Sequence, residues 1–132
     1  MDRGIPARTR TEAQRRGDQA EDQALALLRG HGLQPLARNV RFKVGELDLV
    51  MQDAGTLVFV EVRRRRHESW GGALASIDAA KVRRLARAAR AFLQRHPCWA
   101  DAPCRFDVVA FDAGGAPHWL RHAFSLDGLD LA

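Results

Sequence analysis

Residues 45–66, GELDLVMQDAGTLVFVEVRRRR, constrain the fold of this chain more than any other stretch. Two runs rich in apolar and β-branched residues, 46–51 and 56–63, flank a short segment that contains Ala54 and Gly55. This pattern predicts two strands joined by a tight hairpin turn. Because the second run is apolar at both odd and even positions, we expect its strand to be buried on both faces, at the centre of a sheet.

The remaining segments predict two helices and three further strands. Helical spacing of apolar residues indicates a helix over residues 18–29, and Asp78 is suited to cap a second helix over 79–96. Residues 66–77 contain paired glycines without a clear period and predict a loop. The other strands are expected over residues 35–42, 104–112 and 117–124. The order is therefore α-β-β-β-α-β-β, which indicates an α/β (α+β) fold with a mixed central sheet of about five strands and helices on its faces.

Length and composition predict one folded domain. The chain has 132 residues, of which 46% are apolar and 28% charged, so we expect a domain over residues 13–132 after a flexible basic tail over 1–12. No apolar run approaches the roughly 18 residues of a membrane span, and the first residues lack a secretory signal, which predicts a cytoplasmic protein without a membrane partner. Cys98 and Cys104 are too few for a disulfide framework, and with His96 they lack a fourth zinc ligand.

Basic residues outnumber acidic ones by 21 to 16, and nearly all of them are arginine. Arginine is the planar, bidentate donor suited to phosphate, so nucleic acid is the leading partner class. The candidate phosphate contacts lie in two groups, Arg64, Arg65 and Arg66 after the central strand and Lys81, Arg83, Arg87 and Arg90 on the second helix. Two alternatives stay open, a solvated basic surface and a helix that binds an acidic protein.

Acidic residues on the hairpin point to a metal ion. A two-residue turn at Ala54-Gly55 would place Asp48 opposite Glu61, and Glu46 opposite Arg63. Like charges that face each other across two strands destabilise a sheet, and a hard divalent cation such as Mg²⁺ would neutralise them. The alternative is that these acids form ordinary ion pairs with Arg63, Arg64 or Arg41.

Five segments together resemble the YraN-like family of bacterial proteins, which are predicted endonucleases distantly similar to archaeal Holliday-junction resolvases. They are GDQAEDQALALLRGHGLQPLARN, GELDLV, LVFVEVRRRR, DAAKVRRLARAARAFL and RFDVVAF, within residues 17–124. The resemblance implies the restriction-endonuclease-like PD-(D/E)xK fold. It also implies a DNA endonuclease that uses Mg²⁺ or Mn²⁺ to hydrolyse phosphodiester bonds, with branched or damaged DNA as candidate substrates. The alternative is a non-catalytic nucleic-acid-binding protein that retains the nuclease fold.

The same resemblance implies roles for four residues. Asp48 and Glu61 stand where the family has its metal-binding acids, and Glu21 matches the acid on the first helix. Arg63 stands where the fold usually has a lysine, so the positive charge is kept while base chemistry is weakened. Related resolvases act as dimers, and by that analogy a homodimer is expected.

Overall fold

The computed structural model describes residues 11–64 and 77–124, which form two helices, a short 3₁₀ turn and five strands. The helices are α1 (Glu12–Gly30) and α2 (Ala79–Arg95), and the 3₁₀ turn is Pro97–Trp99. The strands are β1 (Gln34–Phe42), β2 (Gly45–Asp53), β3 (Thr56–Arg64), β4 (Cys104–Phe111) and β5 (Pro117–Phe124). This order confirms the predicted succession and the mixed α/β class. Most of the predicted loop over residues 66–77 lies outside the described residues.

Helix α1 begins at Glu12, earlier than the start at residue 18 that the apolar spacing predicted. The reason is a reciprocal cap, in which the Gln14 amide donates to Thr11 Oγ1 and the Thr11 amide donates to Gln14 Oε1. This arrangement satisfies amide groups that the first turn of a helix leaves without partners. The first turns of α1 therefore depend on their cap and not on an apolar stripe.

The five strands form one mixed sheet in the order β1-β2-β3-β4-β5. Neighbouring strands are antiparallel except β3 and β4, which are parallel and are connected through α2. The predicted central strand, β3, occupies the middle of the sheet, and its residues Leu57–Glu61 are buried. The carboxyl end of β3 therefore lies between β2 and β4, and ligands commonly bind at the carboxyl ends of strands in α/β sheets.

The two helices cover opposite faces of the sheet. Helix α1 packs against one apolar cluster, which includes Ala24, Leu28, Val58, Val60 and Val109. Helix α2 packs against the other, which includes Leu57, Phe59, Leu85, Phe92 and Phe106. Because alternate residues of β3 belong to different clusters, Glu61 and Arg63 continue the face that α2 covers. Neither helix of the described residues is long and apolar enough to cross a membrane.

Gly45, the first residue of β2, lies directly under α2. A Cβ atom on this glycine would stand 2.7 Å from the Arg84 carbonyl oxygen and 3.5 Å from Cβ of Ala88. Real Cβ atoms essentially never make contacts below 3.0 Å, and here the opposing atom belongs to the helix backbone. The lack of a side chain at Gly45 therefore allows the backbone of β2 to contact the backbone of α2 at this point.

Asp107 on β4 is the centre of a buried polar network. Its side chain is 0% exposed and accepts hydrogen bonds from Arg105, from Nε1 of Trp119 at 3.0 Å and from the amide of His122 at 3.0 Å. Arg105 also pairs with Asp53 at 3.1 Å. No buried side-chain nitrogen or oxygen in the described part of the chain lacks a partner, so this charge is fully compensated. Asp107 thus has a structural role, in which the neighbouring Arg105 neutralises its charge.

Candidate active site

The two predicted metal-binding acids meet where β2 and β3 separate. The hairpin has the predicted register, because Asp53 pairs with Thr56 and the ladder continues to Leu49 and Val60. Beyond that pair, the Asp48 carboxylate accepts a hydrogen bond from the Val62 amide at 2.9 Å. Asp48 and Glu61 therefore come together through side chains at the end of the ladder, and their carboxyl groups are within hydrogen-bonding reach.

An irregularity of β2 is centred on Asp48. Leu47 packs on the α2 side of the sheet, whereas Leu49, two residues later, packs on the α1 side. In a regular strand, residues two apart share a face. The change of side occurs at Asp48, whose carboxylate accepts from the Val62 amide and interacts with Glu61.

The predicted pairing of Glu46 with Arg63 is wrong. Glu46 instead forms an ion pair with Arg41 at 3.1 Å, across β1 and β2, and its side chain is exposed. The prediction extended the hairpin register in a straight line, whereas the ladder between β2 and β3 ends at Leu49 and Val60. Glu46 therefore lies outside the carboxylate pair.

Glu61 is the buried member of the pair, at 3% exposure, and two cations neutralise it. Arg63 approaches its Oε2 atom at 3.3 Å, and Lys81 from α2 approaches the same atom at 3.4 Å. The contact with Arg63 agrees with the ion-pair alternative considered from the sequence. The contact with Lys81 assigns to this site a residue that the sequence placed only among the phosphate contacts.

The electrostatics of the pair favour the protonated form of Asp48 in the metal-free protein. Burial, followed by the charge of Glu61, raises the pKa of Asp48 from 3.8 to about 8, although the Val62 amide opposes the rise. Burial and a neighbouring carboxylate both disfavour the charged form of an acid. Asp48 therefore binds a proton more readily than an exposed aspartate does.

Glu21 lies at the border of this site, on α1. Its side chain is 14% exposed and pairs with Arg38 Nε at 3.2 Å. Burial and the charge of Asp48 raise the pKa of Glu21, while hydrogen bonds from Arg38 and Asn39 oppose the rise. The acid on the first helix is thus near enough to Asp48 to be influenced by it, but its partners are on β1.

The sequence reasoning missed Arg38 and Asn39 as neighbours of the site. Asn39 lies on β1 between the pairs Arg38–Leu49 and Val40–Leu47, which places it opposite Asp48. Its φ of 54° is in the left-handed region, which asparagine tolerates better than most residues. An asparagine within a strand is unusual and is the one signal that would have drawn attention to this position.

The donor set of the site suits a hard cation. Both acids offer oxygen ligands, and Mg²⁺ is commonly held by one or two carboxylates while water and phosphate complete its shell. Among residues 11–64 and 77–124, no three His, Cys, Asp or Glu residues gather closely enough to hold a metal together. Asp48 and Glu61 would therefore hold the ion as a pair, without Glu21 as a third protein ligand.

The predicted nucleic-acid contacts divide into described and undescribed residues. Helix α2 carries six basic residues and no acidic one, namely Lys81, Arg83, Arg84, Arg87, Arg90 and Arg95. Arg83 and Arg90 are exposed and Arg87 is half-buried, while Arg64 is exposed at the end of β3. Arg65 and Arg66 lie outside the described residues. Lys81, in the first turn of α2, therefore brings the positive charge of this helix next to the carboxylate pair.

Comparison with known proteins decides the family. The uncharacterised protein family UPF0102 matches residues 20–111, a stretch that includes Glu21, Asp48, Glu61 and Lys81. The chain belongs to this family. UPF0102 is the YraN-like family that the sequence motifs indicated, so that recognition is confirmed.

UPF0102 proteins of several bacteria match nearly the whole chain. A UPF0102 protein of Halorhodospira halophila is 56% identical over 119 residues, covering 90% of this chain and 94% of the relative. A UPF0102 protein of Pseudomonas entomophila is 61% identical over 112 residues, covering 82% and 91%. A third, from Alkalilimnicola ehrlichii, is 56% identical over 112 residues, covering 85% and 88%. The family is uncharacterised, so membership assigns no activity.

Proposed function

We propose that this UPF0102 protein is a divalent-metal-dependent endonuclease that hydrolyses phosphodiester bonds in DNA. The observation that carries the proposal is the contact between Asp48 and Glu61 beside the cations Arg63 and Lys81. An acid pair next to cations, at the end of a sheet and beside a helix without acids, suits the binding of a metal ion together with a phosphate. The family resemblance to PD-(D/E)xK nucleases supports the same reaction class.

Each residue of the site has a distinct task in this proposal. Asp48 and Glu61 would hold Mg²⁺ or Mn²⁺, which when bound supplies Lewis-acid activation of the phosphodiester and of the attacking water. The guanidinium of Arg63 contacts the phosphate and offsets the charge that develops there. Arg63 does not accept the proton of the water, because arginine stays protonated. The arginines of α2 bind the phosphates on either side of the cleaved bond.

Cleavage assays test the proposal directly. We expect wild-type protein to cut at least one of branched, flapped, single-stranded and linear duplex DNA in Mg²⁺ or Mn²⁺, and none in chelator. Glu61→Gln removes a metal-ligand charge and leaves the arginines in place, so cleavage should fall by at least about 100-fold while DNA binding persists. The matched control is Glu46→Gln, an exposed acid outside the pair, which should cleave as wild type does. Equal cleavage by Glu61→Gln and wild type would refute the site.

A second function is favoured by one observation, the arginine at position 63. Because this residue replaces the usual lysine of the fold and Glu61 is already neutralised by two cations, the protein would then bind nucleic acid without cutting it. Arg63→Lys distinguishes the two functions. Cleavage by this variant alone, with none by wild type under any metal, would favour the non-catalytic function.

The DNA surface is tested by the dependence of binding on salt. For duplex DNA, the logarithm of affinity should fall linearly with the logarithm of salt, by about 0.9 per phosphate neutralised. Replacing Arg83, Arg87 and Arg90 together with alanine should flatten that slope by up to about three units. Arg29→Ala, in the last turn of α1 on the other face of the sheet, is the control and should leave the slope unchanged. An unchanged slope in the triple variant would remove α2 from the interface.

A further inference from the structure

The family resemblance assigns no role to Lys81, although this residue contacts the candidate site. Its ammonium group is 3.4 Å from Oε2 of Glu61, and its side chain is 28% exposed. The chain contains two lysines, Lys43 and Lys81, and uses arginine for every other basic residue. One of these two lysines thus contacts the buried carboxylate of the candidate site.

The site becomes more positive when a divalent cation binds. Without metal, Lys81 and Arg63 neutralise Glu61, which as a buried carboxylate requires a partner. A divalent cation on Asp48 and Glu61 would neutralise the acids by itself. The two side-chain cations would then be in excess and would repel the metal, unless one of them moves to a new anion.

The side chain of Lys81 can change its partner more easily than the side chain of Arg63 can. Its backbone is fixed, because the Lys81 amide donates to the capping carboxylate of Asp78 at 2.8 Å. Its charge is a compact ammonium on a flexible four-carbon chain, whereas guanidinium holds a planar fork. Arg63 is tied to β3 only two residues from Glu61. Lys81 reaches Glu61 across from α2, the same helix that carries the proposed phosphate contacts Arg83 and Arg87.

We propose that Lys81 is a cation with two positions, one on Glu61 in the metal-free protein and one on the scissile phosphate when a divalent cation occupies Asp48 and Glu61. This inference rests on the proposed function for the identity of the second anion. It supplies from α2 the lysine that β3 lacks at position 63. Metal and DNA then favour each other's binding, because the metal releases the ammonium that the phosphate receives.

The test measures binding and needs no cleavage. Affinity for Ca²⁺ and Mn²⁺ is measured without DNA, and affinity for a DNA duplex is measured in Ca²⁺ and in chelator. Lys81→Met removes the competing charge and keeps the amide that Asp78 caps, so we expect metal to bind about fivefold more tightly or better. The same variant should lose more DNA affinity in Ca²⁺ than in chelator, by a similar factor. Lys81→Arg keeps the charge and should stay near wild type in metal affinity.

Arg83→Met is the matched control, because Arg83 lies on the same helix without a contact to Glu61 in the described residues. Its metal affinity should equal that of wild type, and its loss of DNA affinity should be the same in Ca²⁺ and in chelator. The inference is overturned if Lys81→Met binds metal no more tightly than wild type, or if its loss of DNA affinity does not depend on metal. Metal-dependent loss in a protein that cuts no DNA would support Lys81 and refute the endonuclease. Cleavage of DNA by the wild-type protein, with no metal-dependent loss of DNA affinity in Lys81→Met, would support the endonuclease and refute the role of Lys81.

Discussion

Asp48→Asn is expected to make the metal-free protein more stable at pH 8 and to flatten its pH dependence between pH 4 and pH 8. Burial and the charge of Glu61 raise the pKa of Asp48 from 3.8 to about 8 in the folded protein. The folded state therefore binds a proton that the unfolded state releases near pH 4, so the contribution of Asp48 to wild-type stability is fully present below that pH and is lost as the pH rises to about 8. The loss reaches at most about 1.4 kcal/mol per pH unit. Asparagine keeps an oxygen for the Val62 amide and removes the charge.

Urea unfolding of both proteins in chelator at pH 4, 6 and 8 measures this effect. Mg²⁺ or Mn²⁺ should raise the Tm of wild type at pH 8, because the ion binds the folded state, and should leave Asp48→Asn unchanged. Glu46→Gln is again the control, and its stability should follow pH as wild type does. Parallel pH curves for Asp48→Asn and wild type would show that Asp48 is not the proton-holding group.

Asp107→Ala is expected to cost about 3–5 kcal/mol of folding free energy, the usual penalty for removing one partner of a buried ion pair. The substitution leaves Arg105, Nε1 of Trp119 and the His122 amide without their acceptor. Part of this set joins β4 to the outer strand β5, so the loss should also loosen β5. Chemical denaturation at pH 7 gives the free energy, and amide hydrogen exchange locates the loosened strand.

Asp53→Ala is the matched control for Asp107→Ala. Asp53 binds the same arginine at 3.1 Å, but its side chain is 30% exposed. An ion pair open to solvent contributes about 1 kcal/mol or less. Similar losses for the two variants would mean that burial does not set the strength of this network.

The hairpin was predictable because its register depends on a local feature. The turn at Ala54-Gly55 fixes which residues face each other as long as the strands stay paired, and the ladder from Asp53 to Leu49 follows it. Beyond Leu49 the strands separate, and the reason lies in the packing of Leu47 and Leu49 on different faces. Packing on two different helices is a tertiary effect, and the straight extension to Glu46 therefore failed.

The contact of Lys81 with Glu61 was not predictable from periodicity. Helical spacing correctly gave α2 a basic side and an Asp78 cap, but it could not show how far along the sheet the helix lies. That position depends on the crossover between β3 and β4, in which residues 65–76 are not described. Only the family resemblance indicated Glu21. Neither the sequence pattern nor the resemblance indicated its partners, Arg38 and Asn39.

The absence of a side chain at Gly45 helps to set the position of Lys81 relative to Glu61 in the candidate site. Gly45 lets the carbonyl of Arg84 rest on β2, and Arg84 is one helical turn after Lys81. Any larger residue at position 45 would lift this part of α2 from the sheet and carry the ammonium away from Glu61. The contact between Lys81 and Glu61 thus depends on Gly45, a residue that carries no charge and no side chain and takes no part in the proposed reaction.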